Sequence, residues 1–155
     1  MKIGVVADTH VPDRVKELDQ LLLAQLSADG VELIIHAGDI CVHRIIEQLE
    51  EIAPVYAVRG NRDWLFIKKL SRTLLLEINT KQIGVMHGHG GIFFYIWDKL
   101  LTFMIGYNFE RYYKKMTKIF TNSDIIIFGH THRPVNRWCD RRLIMNPGSA
   151  SLKNI

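Results

Sequence analysis

"VELIIHAGDIC", residues 31–41, sets four apolar residues (Val31, Leu33, Ile34 and Ile35, interrupted by Glu32) ahead of His36, Ala37, Gly38 and a lone carboxylate, Asp39. A short Ile-rich run closed by glycine reads as a buried strand. The acid at its end has two readings at this point. It either caps the helix suggested by "VHRIIEQLEEI" (42–52) or does chemistry at the end of the strand.

Working outward, "KIGVVA" (2–7) precedes this strand and "PVYAVR" (54–59) follows it. Between them "RVKELDQLLLAQLSA" (14–28) and "VHRIIEQLEEI" repeat apolar residues at three-to-four spacing, so the chain opens as βαβαβ. The order then changes. "LLLEINTKQIGVMH" (74–87) holds two apolar runs about Asn79-Thr80-Lys81 and predicts a hairpin. An aromatic-rich segment at about 91–120 predicts one or two helices broken at Gly106, and "DIIIF", "PVNRW" and "RLIM" close the chain as short strands. The expected fold class is α/β: a four-layer α/β/β/α sandwich of two packed mixed sheets flanked by helices, one domain over residues 1–155.

Composition narrows the function classes. A chain of 155 residues, 48% of them hydrophobic, fits one domain with a real core. A formal charge of +4 suits a phosphate-bearing substrate and is too small to imply nucleic acid. Cys41 and Cys139 are far apart with no CxxC spacing, which supports neither a disulfide framework nor a zinc knuckle and fits a reduced, cytoplasmic setting. The apolar run after Met1 is cut short by Asp8, too early for a signal peptide. "GIFFYIWDKLLTFMIGYNF" (91–109) carries Asp98 and Lys99 in its middle and falls short of the ~20 residues of a bilayer span.

The polar residues collect where strands end: Asp8-Thr9-His10, Gly38-Asp39, Gly60-Asn61-Arg62-Asp63, His87-Gly88-His89 and Gly129-His130-Thr131-His132. Each alone is ordinary, since a lone histidine is more often structural and Asn after Gly more often a turn. Together they matter, because the carboxyl ends of strands in a sheet with crossovers share one rim, where ligands bind. His130 and His132, two apart in an extended chain, point the same way. Four imidazoles, two carboxylates and an amide exceed what one tetrahedral ion takes, whereas two ions sharing a bridging carboxylate would use them. The donor mixture suits Mn, Fe, Ni or Zn better than Ca or Mg.

Through "ADTH", "GD", "GNRD", "HGHG", "GHTH" and "NPGS", in that order and across nearly the whole chain, the sequence resembles the calcineurin-like metallophosphoesterase superfamily, and within it the small bacterial and archaeal phosphodiesterases. The resemblance implies one metal held by Asp8, His10, Asp39 and His132, and a second by Asp39, Asn61, His87 and His130. It implies two divalent ions, manganese first with nickel, iron or zinc as alternatives, and attack of a metal-bridging hydroxide on a small phosphodiester. Asp39, Arg62 and His89 are then the catalytic candidates, His89 contacting phosphate or orienting a ligand. His36 and His43 read as structural.

Three departures stand out. Ala7 replaces a customary glycine and removes no ligand. Arg62 replaces a histidine that many members use to protonate the leaving group; guanidinium keeps its proton, so Arg62 is expected to stabilise phosphate charge and favour good leaving groups. The family commonly continues past "NPGS" with another hairpin, and an open sheet edge would invite a homo-oligomer. The aromatic segment (Phe93, Phe94, Tyr95, Trp97, Phe103 and onward) reads first as helices packed on the sheet, with a lid, a subunit interface or membrane-surface contact through 92–118 as alternatives. Arg133, Arg137, Arg141 and Arg142 either line the mouth of the site or form a solvated face. A non-catalytic scaffold like the retromer subunit of this family is the alternative function and a phosphomonoesterase the nearest variant. No stable nucleic-acid partner is expected.

Overall fold

In the computed structural model residues 1–63 and 69–151 are described; the side chains of Ile92, Phe93 and Phe94 lie outside that description. Strands β1 (Ile3–Val6), β2 (Leu33–His36) and β3 (Val55–Ala57) form a parallel sheet in that order, joined by α1 (Gln20–Ala28) and α2 (Arg44–Glu50). β4 (Thr73–Ile78) and β5 (Lys81–Met86) make the expected hairpin, with Asn79 and Thr80 both left-handed (φ 48° and 65°), the conformation of the tight turn that matches strand twist. β6 (Ile125–Phe128), β7 (Val135–Cys139) and β8 (Arg142–Asn146) complete a second sheet of order β4-β5-β6-β8-β7. The mixed character resides in this larger sheet: β5, β6 and β8 are parallel, and β4 and β7 are antiparallel edges.

Apolar residues sort into three layers of core. Val6, Ile34, Ile45 and Leu49 join the first sheet to α1 and α2. Ile35, Ala37, Ile83, Val85 and Ile127 fill the space between the sheets. Ile126, Phe128 and Ile144 pack under Tyr112, Met116 and Phe120, which lie on or just after α4 (Phe109–Ile119). Each fully buried Ile or Leu contributes about 1.5–3 kcal/mol. The result is the four-layer α/β/β/α sandwich.

Three local expectations change. The first helix starts at Gln20, capped by the Asp19 carboxylate on Leu21 N–H at 2.9 Å, because residues 10–15 curl into a turn closed by Arg14 N–H to His10 C=O at 2.8 Å. The second spans Arg44–Glu50 rather than 42–52. Asp39 does not cap it: His43 occupies the N-cap position, and Asp39 turns towards the sheet ends. Gly106 does divide α3 (Ile92–Ile105) from α4. No helix is long and apolar enough to cross a membrane among the described residues.

Candidate active site

The carboxyl ends of β1, β2, β3, β5 and β6 deliver Asp8 and His10, Asp39, Asn61, His87, and His130 and His132 to one rim. On one side Asp8 Oδ1 lies 3.2 Å from His132 Nε2 and 3.7 Å from His10 Nε2, and the two Nε2 atoms face each other at 3.2 Å. On the other, Asn61 Oδ1 lies 3.1 Å from both His87 Nε2 and His130 Nδ1. Asp39 Oδ2 stands between, 3.7 Å from His10 Nε2 and 3.4 Å from His87 Nε2. All seven donors are brought together.

This is a centre that fits cations. Asp8 and Asp39 are buried carboxylates, and Asp8 Oδ1 has no hydrogen-bond partner among the described residues. The ring nitrogens of His10, His87 and His132 that face these oxygens are atoms that could bind a metal in place of a proton. Asp8, His10 and His132 form one group able to hold an ion, and Asp8, Asp39 and His87 another.

Neighbours set both orientation and charge. His87 Nδ1–H donates to Ala37 C=O at 2.8 Å, which aims Nε2 at the centre. Burial depresses its pKa, but the carboxylates of Asp39 and Asp8 more than compensate and raise it to about 9. Burial opposes ionisation of Asp8, yet its contacts with His10 and His132 and the charge of His87 hold it well below the usual carboxylate range. Burial and the His87 charge push His130 down to about 3 and His89 down to about 4. His36 is structural, as expected: its Nδ1 accepts from Gly38 N–H at 3.1 Å and its Nε2 meets Thr9 Oγ1 at 3.3 Å.

The backbone is unusual at the ligands. Asp8, His10, Asp39, His130 and His132 all have φ between 49° and 70°. Left-handed non-glycine residues cost of order 1 kcal/mol or more and cluster at functional sites. Gly38 (φ 91°) and Gly60 allow the β2 and β3 loops to touch: a Cβ on Gly38 would sit 2.8 Å from Gly60 N, and one on Gly60 2.1 Å from Asp39 Oδ1.

The two remaining candidates stand further out. Arg62 donates its backbone N–H to Asp39 Oδ1 at 2.8 Å, while its guanidinium, half exposed at the rim, pairs with Asp13 at 3.6 Å. His89 packs its ring 5.3 Å from that of His87. Of the downstream arginines Arg133 lines the site; Arg137 stacks on Phe109, and Arg142 bonds the carbonyls of Ser123 and Thr121.

Sequence reasoning assigned no role to Asp63. Its buried carboxylate accepts N–H bonds from Asp39, Ile40, Cys41 and Gly60 at 3.0, 2.8, 2.7 and 2.7 Å, tying the β2 loop to the β3 loop. The last letter of "GNRD" was its only signal. The pocket over these donors, about 310 Å³, is walled on one side by α3 through Tyr95, Asp98, Lys99 and Thr102.

The pattern of the calcineurin-like phosphoesterase superfamily domain matches residues 1–154. The chain belongs to that superfamily. A probable metallophosphoesterase of Methanocaldococcus jannaschii is 38% identical over 98% of this chain and 69% of its own length. A phosphodiesterase of the same organism is 29% identical over 96% of this chain and 83% of its own. Among solved structures, a Vps29 variant from Entamoeba histolytica superposes with a TM-score of 0.77 at 26% identity, covering 97% of this chain and 76% of that one. As a calcineurin-like phosphoesterase the chain is a metal-dependent hydrolase, and the family's divalent ions match the donors at its strand ends.

Proposed function

We propose that this calcineurin-like phosphoesterase is a dinuclear phosphodiesterase acting on a small phosphodiester. The observation that carries the proposal is the placement of Asp39, whose Oδ2 faces His10 on one side and His87 on the other at 3.7 and 3.4 Å. Asp8, His10 and His132 would hold one ion and Asn61, His87 and His130 the other, with Asp39 shared. Two divalent ions, manganese first, would supply a water-derived nucleophile near neutral pH and neutralise charge developing on the phosphate. Arg62 steadies phosphate charge from the rim and, keeping its own proton, favours esters whose leaving groups need none. His89, neutral at working pH, orients substrate beyond His87. Residues 1–155 form one domain in this reading.

A specific observation favours a second reading, an interaction scaffold without catalysis. The outer face of α3 is apolar and open, with Phe103 90% exposed and Trp97, Met104 and Ile105 exposed beside it, and such patches mark contacts.

One experiment separates the two. Chelator-stripped protein is assayed on bis(p-nitrophenyl) phosphate and p-nitrophenyl phosphate, then again with Mn or Ni added. Metal-dependent turnover with the diester preferred is expected. No turnover on either overturns the enzyme reading in favour of the scaffold; a monoester preference makes the chain a phosphomonoesterase. Asp39→Asn should cut turnover more than about a hundredfold while the protein stays folded.

A further inference from the structure

The charges lining the pocket exceed what a single phosphodiester needs. Arg14, Arg62, Lys99 and Arg133 reach it from four separate segments of the chain. Arg62 is paired with Asp13 at 3.6 Å. Asp98, which also lines the pocket, is buried and occupied by the Tyr112 hydroxyl, with Arg111 Nε 3.7 Å away. Among the described residues no carboxylate pairs with Arg14, Lys99 or Arg133.

Those three are held by other means. Lys99 Nζ sits 4.7 Å over the Tyr95 ring and Arg133 Cζ 4.7 Å over the Tyr107 ring, contacts that fix a cation without neutralising it. Arg14 Nη1 lies 3.1 Å from His132 Nδ1. Arginine can only donate, so this contact needs a proton-free Nδ1. Two divalent ions less the charges of Asp8, Asp39 and a hydroxide nucleophile would leave one positive charge, which one phosphodiester neutralises. Three more cations call for a further anion.

We infer that the substrate carries a second phosphate beside the scissile diester, bound by Lys99 and Arg133 on the α3 side of the pocket, with Arg14 lining the same pocket beside His132. This inference rests on the phosphodiesterase reading. Tyr95 and Tyr107 line the same pocket, and its volume of about 310 Å³ suits a molecule of nucleotide size. Each charged hydrogen bond gained is worth a substantial factor in affinity, so the second phosphate should improve kcat/KM about tenfold or more, chiefly through KM.

The test uses the manganese-loaded full chain and a matched pair, thymidine 5′-(p-nitrophenyl phosphate) with and without a 3′-phosphate. Calorimetry of thymidine 3′,5′-bisphosphate against thymidine 5′-monophosphate gives a reading independent of turnover. The expected result is preference for the doubly phosphorylated member in both measurements, collapsing in the Lys99→Gln/Arg133→Gln double variant. Both side chains are exposed, and matched unfolding curves confirm an intact fold. Equal kcat/KM and equal binding overturn the inference, as does a preference that survives in the double variant. If neither ester turns over, the phosphodiesterase reading fails and binding alone decides: tighter bisphosphate binding, lost in the variant, upholds the second-phosphate site, and equal binding removes it.

Discussion

His87 carries a proton that a metal ion must displace. With its pKa raised to about 9 by Asp39 and Asp8, the imidazole is charged at neutral pH, and its Nε2 is the atom aimed at the centre. Metal binding therefore expels a proton below about pH 9, so affinity for Mn should rise roughly tenfold per pH unit between pH 7 and 8. Titration calorimetry in two buffers of different ionisation heat counts the proton; a pH-independent affinity would contradict this account. Asp63 gives a second residue-scale prediction. Asp63→Asn keeps one acceptor oxygen and turns an NH₂ towards backbone donors, so stability should fall by about 2–4 kcal/mol in denaturant unfolding. The seven donors that meet at the rim were legible because donor chemistry is written in residue type. The role of Asp63 was not, because its partners are backbone N–H groups up to 24 positions away.

At the scale of elements, the strands were legible from Ile- and Val-rich runs, while the loops that finish them were not. Asp and His give no sequence sign that they will take left-handed φ, as Asp8, His10, Asp39, His130 and His132 do. The start of α1 was misread for a related reason: the helical spacing from Arg14 onward is overridden by the turn that brings Asp13 and Arg14 to the site. Loop contact has a direct test. Gly60→Ala would place a methyl 2.1 Å from Asp39 Oδ1 and 2.3 Å from Asp39 N, where the β2 backbone cannot yield. It should lose about 1–3 kcal/mol of stability and weaken Mn binding with it, and an unchanged Mn affinity would refute the loop geometry. The outer face of α3 predicts the opposite. Phe103 is 90% exposed, so Phe103→Ser should leave the unfolding free energy within about 0.5 kcal/mol of the parent; a larger loss would mean that something covers this face.

Across the whole molecule the proposed ligands divide between the sheets. Asp8, His10, Asp39 and Asn61 follow strands of the first sheet, and His87, His130 and His132 follow strands of the second. The inter-sheet core of Ile35, Ile83, Val85 and Ile127 holds the sheets together without metal, so the stripped protein should stay folded. An ion held as proposed would add a clamp between the sheets at the rim. A ligand that binds only the folded state adds about 2.7 kcal/mol at a hundredfold excess over its Kd. Chelation should thus lower Tm by several degrees and Mn should restore it. His87→Ala and Asp8→Asn each remove a ligand from a different sheet. Each should shrink the Mn-induced rise in Tm, because neither sheet alone supplies a complete donor set. If Asp8→Asn abolished the rise and His87→Ala left it whole, the metal would be held by the Asp8, His10 and His132 group alone. Asp39 would then bridge nothing, and the dinuclear proposal would fall with it.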